Sequence, residues 1–434
     1  MYCILTTLNW NLNTLYGVTQ NGFSSIILDA KNHFIGNPDD TIIINVDAGT
    51  YEIGGNGSNG IHINTVAPGS NGRLIIKGAG IDNTTLVFTE VRQDMIRVSN
   101  SNNIVISDMH MTRSVYTVTQ GLVQNVGTGY IDLALQDGFP SPLPFFDNTS
   151  TNGRYLRRYT NSQTDPQVIL TNNGQIPWGY VNSFYTLPEL LSENIWRFYL
   201  NNPNLLASNY SIGDLVSVKS KHEGETYFIA GGSNILIENI KWTHSTRGVS
   251  RFGADNITIK KCRIERGDPI NGQTPCMASP SGGPQMNQPN DALATNMVMD
   301  SCFIESPGDD CVAFFNVDGG RVTNSVLKNS FSSRGIYIIS TAQNICVANT
   351  TLINNSIEGP YTACCPDLNV TITGNIVVCD DNSEVFLYST QLIEGATYAW
   401  TVDNGTVVAG QGTNQIQVIW SSGTEGIVEV TVEQ

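Results

Sequence analysis

Two adjacent carboxylates, Asp309 and Asp310, come directly after the turn signal Pro307-Gly308. Neighbouring side chains of a strand point to opposite faces, so two aspartates that serve one site must lie where the chain enters a strand. The Pro-Gly turn provides that bend. Repulsion between two close carboxylates raises the pKa of one of them, so one can hold a proton while the other is ionised. This pattern is typical of an acid and a base that cleave a bond with water.

Other charged residues stand before later repeats of an apolar pattern. Aligned on the starts of those repeats, Arg247, Asp291, Asp309-Asp310 and Arg334 are predicted to form one column, with about 5 Å between steps. The arginines would keep nearby carboxylates ionised while crowding keeps one carboxyl protonated. The structural alternative is that these polar residues only satisfy backbone groups at turns.

The repeats share one form, a polar residue that is often Asn followed by alternating apolar positions. Their starts are Arg73, Asn103, Asn234, Asn256, Asn296, Arg321 and Asn344. The step from Asn234 to Asn256, and from Asn296 through Arg321 to Asn344, is roughly 22 to 25 residues, the length of one coil of a parallel β-helix. We therefore predict an all-β chain built on a parallel β-helix, right-handed by the general preference of parallel crossovers, with Asn ladders at its corners.

Two interruptions divide the repeats. Residues 115–221 carry strands of their own and predict an inserted small β-barrel, whereas 267–290 are rich in Pro, Gly, Ser and Asn and predict a long loop that shapes a cleft. Residues 22–34 have apolar residues at helical spacing and predict a short cap. The predicted domains are 1–114 (cap and first coils), 115–221 (barrel), 222–366 (coils with the site) and 367–434 (C-terminal sandwich).

Composition narrows the classes of partner. A net charge of −16 and a pI near 4.6 argue against nucleic acid and anionic membranes. No segment reaches the roughly 20 apolar residues of a membrane span. No cysteine pair has metal-ligand spacing near a histidine, so we expect no zinc site and no cofactor. The N-terminus lacks the pattern of a signal peptide, so we expect that a signal was removed or that the chain is a fragment.

The C-terminal residues 367–434 contain short alternating strands with a central Trp400 and predict an immunoglobulin-like β-sandwich. The Tyr-x-Trp, Gly-Gln-Gly-Thr and Val-x-Trp elements resemble the PKD-like modules appended to secreted enzymes of Bacteroidota. The resemblance implies a secreted or cell-surface protein, with this module acting in spacing or attachment.

The stretch Ser306-Pro-Gly-Asp-Asp-Cys-Val-Ala-Phe resembles the Asp-Asp motif of the polygalacturonase family, inverting glycosidases on a right-handed β-helix. The resemblance implies that Asp309 is the general acid and that Asp310 and Asp291 activate water. Ser333-Arg334-Gly335 stands where that family has Gly-His-Gly, and the chain lacks its Arg-Ile-Lys motif. The predicted barrel and its Gly213-Asp-Leu-Val stretch resemble the α-1,3-galactosidases of blood-group-B type, which implies a galactosyl substrate.

Five further residues are candidates for binding sugar: His244, Arg247, Arg251, Arg334 and Tyr337. The sequence thus predicts a secreted glycoside hydrolase that cleaves α-linked galactosyl residues of a poly- or oligosaccharide with inversion. Three alternatives remain open: a polygalacturonase-like enzyme, a polysaccharide lyase, and a β-helical adhesin that binds carbohydrate without cleaving it.

Overall fold

The structure is a computed structural model, and it describes residues 6–54, 57–142, 154–169, 176–181, 184–202, 210–219, 225–245, 250–339, 341–363, 372–374, 385–392, 397–421 and 426–433. The chain divides into two compact units, Met1–Ala363 and Cys364–Gln434. Within the described residues, none of the helices has the length and apolar character needed to cross a membrane.

Two helices, α1 (Leu12–Leu15) and α2 (Gln20–Gly36), precede most of the coils. Helix α2 begins where the Thr19 side chain accepts a hydrogen bond from the Gly22 amide, at 3.0 Å. Its apolar face is buried in the main core through Phe23, Ile26, Ile27, Ala30 and Phe34. The helical cap predicted for residues 22–34 is therefore present.

The first coils of the large unit contain strands β1 (Thr7–Asn11), β2 (Thr41–Asn45), β3 (Gly49–Ile53), β4 (Ile61–Asn64), β5 (Arg73–Lys77), β6 (Thr84–Phe88) and β7 (Ile96–Arg113). The inserted segment contains β8 (Val118–Gly127), β9 (Tyr130–Leu135), β10 (Tyr155–Tyr159), β11 (Ile176–Pro177), β12 (Tyr180–Val181), β13 (Phe184–Tyr185), β14 (Glu189–Ser192), β15 (Ile195–Tyr199) and β16 (Leu215–Lys219).

The later coils contain β17 (Tyr227–Trp242), β18 (Ser250–Lys260), β19 (Arg263–Ile264), β20 (Pro284–Met286), β21 (Ala294–Asp300), β22 (Phe303–Glu305), β23 (Val312–Phe314), β24 (Val317–Thr323), β25 (Val326–Lys328), β26 (Arg334–Ile338), β27 (Gln343–Ala348), β28 (Thr351–Ile353), β29 (Ser356–Glu358) and β30 (Thr362–Ala363). The small unit contains β31 (Phe386–Ser389), β32 (Thr397–Asp403), β33 (Gly405–Ala409), β34 (Gln415–Trp420) and β35 (Ile427–Glu433).

The coils stack into a parallel β-helix with three sheets, and the sheet that carries the candidate site is called the third sheet from here on. Its strands all pair in parallel, in the order β4, β7, β17, β18, β20, β23, β26 and β29. The long strands β7, β17 and β18 turn a corner and continue into a neighbouring sheet. The predicted β-helix is confirmed.

Asparagines hold one corner of the β-helix in a left-handed conformation. Asn103, Asn234, Asn256 and Asn296 have φ angles between 53° and 57°. Their side chains form a continuous ladder, in which each amide donates to the amide oxygen of the previous coil at 2.9, 3.1 and 3.0 Å. Asn tolerates this backbone region better than other residues that carry a side chain, so the predicted Asn ladder follows from local chemistry.

The residues that alternate with the exposed ones point into a continuous apolar core. Ile235, Ile257 and Met297 occupy equivalent positions of successive coils and are all buried. Cys262 and Cys302 are buried in the same core with free thiols. Cys346, which stands at a similar place in its own repeat, differs because it is disulfide-bonded.

The inserted segment forms the predicted small β-barrel. Its antiparallel strands follow the order β11, β10, β16, β8, β9, β15 and β14. Closure occurs where Trp178 pairs with Leu200 and the Gly179 amide donates to the Tyr199 carbonyl at 2.8 Å. Trp178 and Trp196 are buried in the barrel core.

The small unit is a β-sandwich. One sheet pairs β31, β34 and β33, and the other pairs β32 with β35, all antiparallel. Trp400 lies in the core, 3% exposed, and its indole N–H donates to the Thr413 carbonyl at 2.7 Å.

Candidate active site

The turn that carries Asp309 and Asp310 joins β22 to β23, and backbone hydrogen bonds fix it on both sides. The Gly308 amide donates to the Ser281 carbonyl at 2.8 Å, and the Asp310 carbonyl accepts from the Gly283 amide at 3.0 Å. A Cβ atom at Gly308 would collide with the carbonyl oxygen of Ser279. The glycine therefore lets the turn lie directly against the preceding coil.

Asp310 is almost fully buried, with 7% of its surface exposed. Its Oδ1 accepts hydrogen bonds from Ser332 Oγ at 2.7 Å and from Arg334 Nε at 2.6 Å. Burial raises the pKa of Asp310 to about 6, and the charge of Asp309 adds to the rise, while Arg334 and Ser332 oppose it. Asp310 can therefore exchange a proton near neutral pH.

Arg334 links the two carboxylates. Its Nη2 lies 3.6 Å from Asp309 Oδ1, and its Nη1 lies 3.7 Å from Glu358 Oε2. The guanidinium carbon lies 4.0 Å from the centre of the Tyr337 ring, which supports it from one side. The structure thus brings four of the predicted site residues, Asp309, Asp310, Arg334 and Tyr337, into one cluster.

Asp309 and Asp310 open onto a cavity of about 120 Å³ on the outer face of the third sheet. Arg251, another predicted binding residue, lines the same cavity, and its Nε lies 3.8 Å from Glu225 Oε1. The other lining residues are Ser250, Ser281, Gly282, Gly283, Pro284, Gln285, Ala313 and Phe315. Three carboxylates and one guanidinium therefore face this space.

Sequence reasoning missed Glu225, which is 4% exposed. It stands two residues before Tyr227 in β17, just as Asp310 stands two residues before Val312 in β23. This shared offset from a strand of the third sheet is the signal that would have found it. Ser332 and Gln285 were also missed.

Asp291 does not line the Asp309 cavity. Gln285 pairs with Ala313, and Val312 pairs with Ile336. Continuing these registers back along the chain to Asp310 makes Gly282 and Arg334 its neighbours on the two adjacent coils. Asp291 lines a second cavity of about 500 Å³. The structure thus does not place Asp291 in the predicted column, and its catalytic role stays a prediction. The misalignment arose because β20 lies inside the segment predicted to be a loop.

His244 and Arg247 complete the predicted set. His244 packs on Tyr116, with 4.4 Å between the ring centres, and it lines neither of these two cavities. Burial, followed by the charge of His110, lowers the pKa of His244 to about 4, so the ring is neutral at pH 7. Arg247 lies outside the described residues.

The inserted barrel directly contacts the turn that carries Asp309 and Asp310. Lys219 of β16 is 1% exposed, and its ammonium group donates to the Gly308 carbonyl oxygen. That oxygen belongs to the peptide bond that joins Gly308 to Asp309. The Lys219 ammonium also lies 4.2 Å from the centre of the Phe331 ring. Arg157 of β10 donates to Ser333 Oγ at 2.6 Å. The barrel therefore helps to position the turn, a role that sequence reasoning did not assign to it.

The chain is similar to several solved structures, whereas no curated protein has a sequence that matches it. The chain is similar to the Agl-KA catalytic domain, with 11% identity and a TM-score of 0.36 over 80% of this chain and 48% of that one, so it spans about half of that protein. It is similar to a hyperthermoactive exopolygalacturonase from Thermotoga maritima, with 12% identity and a TM-score of 0.36 over 79% of this chain and 68% of that one.

A putative glycosyl hydrolase from Parabacteroides merdae is also similar, with 9% identity and a TM-score of 0.32 over 79% of this chain and 97% of that one. The C-terminal match is of a different kind, because it comes from sequence. Residues 365–434 match the family model of the PKD-like domain, and the C-terminal unit of this chain is therefore a PKD-like domain.

Proposed function

We propose that the protein is a glycoside hydrolase whose acid and base are supplied by Asp309 and Asp310. The observation that carries the proposal is the pair itself: two adjacent carboxylates at the edge of a cavity, of which the buried Asp310 has its pKa raised to about 6. A group that titrates near neutral pH suits proton transfer in hydrolysis. No cofactor is needed for this chemistry.

The exposure of the two side chains supports a division of roles. Asp309 has 27% of its side chain exposed and can reach a leaving-group oxygen, so we assign it as the general acid. Asp310, at 10%, lies deeper, is held by Arg334 and is ionised above its pKa of about 6, so we assign it as the base that activates water at neutral pH. Glu225 provides a third carboxylate in the same cavity, the place that the sequence had given to Asp291. Hydrolysis by an acid and a water-activating base inverts the anomeric configuration.

The charge of the cavity favours a neutral sugar. Among the described lining residues, Arg251 is the one basic side chain, and it faces Glu225. Three carboxylates would repel the acid group of a galacturonyl unit. We therefore propose a neutral sugar as the substrate. The resemblance of the inserted barrel segment to α-1,3-galactosidases leads us to propose, more specifically, an α-linked galactosyl residue of a poly- or oligosaccharide, cleaved as in an exo-α-1,3-galactosidase.

A screen of α-galactosides and galactans, with the released sugars detected by NMR, tests the proposal. Asp309→Asn and Asp310→Asn should each lower kcat by about 10²-fold or more, because each removes a proton-transfer group. Asp268→Asn, an exposed aspartate of the same unit, is the matched control and should keep full activity. Equal activity of all three variants would contradict the assignment.

The same screen separates the alternatives. A polysaccharide lyase would release an unsaturated product that absorbs ultraviolet light, and it would require an acidic sugar. A β-helical adhesin would bind the sugar without releasing any product, and Asp309→Asn would leave that binding unchanged.

The PKD-like domain is proposed to act in attachment of a secreted or cell-surface enzyme. A chain that ends at Pro366 should hydrolyse a soluble disaccharide at the rate of the full chain but be retained less on cells or polymer. Equal retention of the two chains would exclude this role.

A further inference from the structure

The second cavity lies on the same outer face of the third sheet as the Asp309 cavity. Arg251 lines the first cavity and Gly253 lines the second, two residues later on β18. Two residues of a strand span about 7 Å, which places the cavities side by side. Phe228 and Leu293 supply apolar walls to the second cavity, whose volume is about 500 Å³.

Asn287 lines this second cavity and carries an unused acceptor. The residue is 1% exposed, and its side-chain nitrogen donates both of its hydrogens, to the carbonyls of Ala292 and Asn316, each at 2.7 Å. These two bonds fix which end of the amide is oxygen. Its Oδ1 has no hydrogen-bond partner in the part of the chain that the structure describes. A buried acceptor without a partner costs free energy, which a bound donor would recover.

Oxygen atoms surround the space that Gly253 leaves open. A Cβ atom at Gly253 would lie 3.4 Å from Asp291 Oδ2, 3.5 Å from the Ile229 carbonyl oxygen and 3.8 Å from Asn287 Oδ1. All three are acceptors, so a ligand at this point must bring donors. The apolar walls suit the C–H faces of a sugar ring, and sugar hydroxyls are the donors that such a ligand carries.

We propose that the second cavity is a binding subsite for a neutral glycosyl unit, whose hydroxyl groups donate to Asn287 and Asp291. The negative charge of Asp291 excludes an acidic sugar at the same place. This inference rests on the proposed function for the identity of the neighbouring cleaved unit. It makes Asp291 a binding residue and not a member of the catalytic set.

Gly253→Ala tests the subsite. The added methyl group makes only ordinary contacts of 3.4 to 3.8 Å, and Gly253 has no left-handed φ, so the variant should fold with an unchanged Tm. Calorimetric titration uses Asp309→Asn protein, which prevents turnover, with α-1,3-galactobiose, lactose, cellobiose, mannobiose and digalacturonic acid as probes. At least one neutral probe should bind, and Gly253→Ala should weaken it about tenfold or more. Asp291→Asn should narrow the preference for the neutral probe over digalacturonic acid.

Three results would overturn the subsite proposal. The first is that no neutral probe binds, and the second is that Gly253→Ala leaves every affinity unchanged. The third is that the cavity binds Ca²⁺ in place of sugar and that Gly253→Ala loses this Ca²⁺ binding. The outcomes remain separate from those of the proposed function. If the unaltered protein cleaves no glycoside but binds a neutral probe in a Gly253-dependent way, the hydrolase proposal fails and the subsite stands. If Asp309→Asn abolishes hydrolysis but Gly253→Ala changes neither affinity nor KM, the subsite fails and the hydrolase proposal stands.

Discussion

Replacing Arg334 should move the pH dependence of the enzyme upward. Arg334 Nε donates to Asp310 Oδ1 at 2.6 Å and lowers the pKa of Asp310 against the rise caused by burial and by Asp309. A hydrogen bond to a charged group contributes about 1.5 to 3 kcal/mol. At about 1.36 kcal/mol per pH unit, Arg334→Gln should shift the acidic limb of kcat/KM upward by about one to two pH units. The direction follows because the proposed mechanism requires Asp310 to be ionised when it acts as the base.

The assay is the pH profile of kcat/KM on the best galactoside, beside a ¹³C NMR titration of the aspartate carboxyls. The NMR titration reports on Asp310 even if the variant is inactive. Arg334→Lys keeps the charge and should move the limb less than Arg334→Gln does. Arg263→Gln removes an exposed arginine that pairs with Glu265 and should leave the profile unchanged. A limb that stays in place or moves to lower pH in Arg334→Gln would refute the reasoning.

Three further predictions concern stability and positioning. The pKa of Asp310 is raised from its ordinary value of 3.8 to about 6, so its ionisation lowers the free energy of unfolding by about 3 kcal/mol. This loss appears as the pH rises from 4 to 7. In urea titrations, the free energy of unfolding of Asp310→Asn should lack this pH dependence. Lys219→Met should lower kcat more than it changes KM, because the Gly308 carbonyl loses its buried donor, and an unchanged kcat would show that Lys219 only fills space. Asn256→Ala should lower the free energy of unfolding by about 2 to 3 kcal/mol, through the left-handed backbone and the lost ladder bonds, whereas Asn256→Gly should cost less because Gly adopts that backbone freely.

The sequence predicted the β-helix well because each coil repeats the same local chemistry. An Asn that tolerates a left-handed corner precedes alternating apolar residues, and the structure stacks Asn234, Asn256 and Asn296 into one ladder. The proximity of Asp310 to Arg334 could also be predicted from the sequence, because each residue lies two positions before one of the paired residues Val312 and Ile336.

The rest of the candidate site lies on strands that the local sequence pattern does not predict. Strand β20 has only three residues and follows Gly282-Gly283, a composition typical of a loop. It forms because Met286 is buried and because β18 and β23 pair with it on both sides. Glu225 was missed for a different reason, since the inserted barrel separates it in sequence from the earlier coils. Long-range pairing decided both positions.

The anomeric form of the first product tests the central claim most directly. In ¹H NMR spectra taken in the first minutes of hydrolysis of an α-galactoside, β-galactose should appear before mutarotation produces the α form. The signal should be absent with Asp309→Asn and with Asp310→Asn. If α-galactose appears first, or if the Asp variants cleave the substrate at the rate of the unaltered protein, inversion at the Asp309-Asp310 cavity is contradicted.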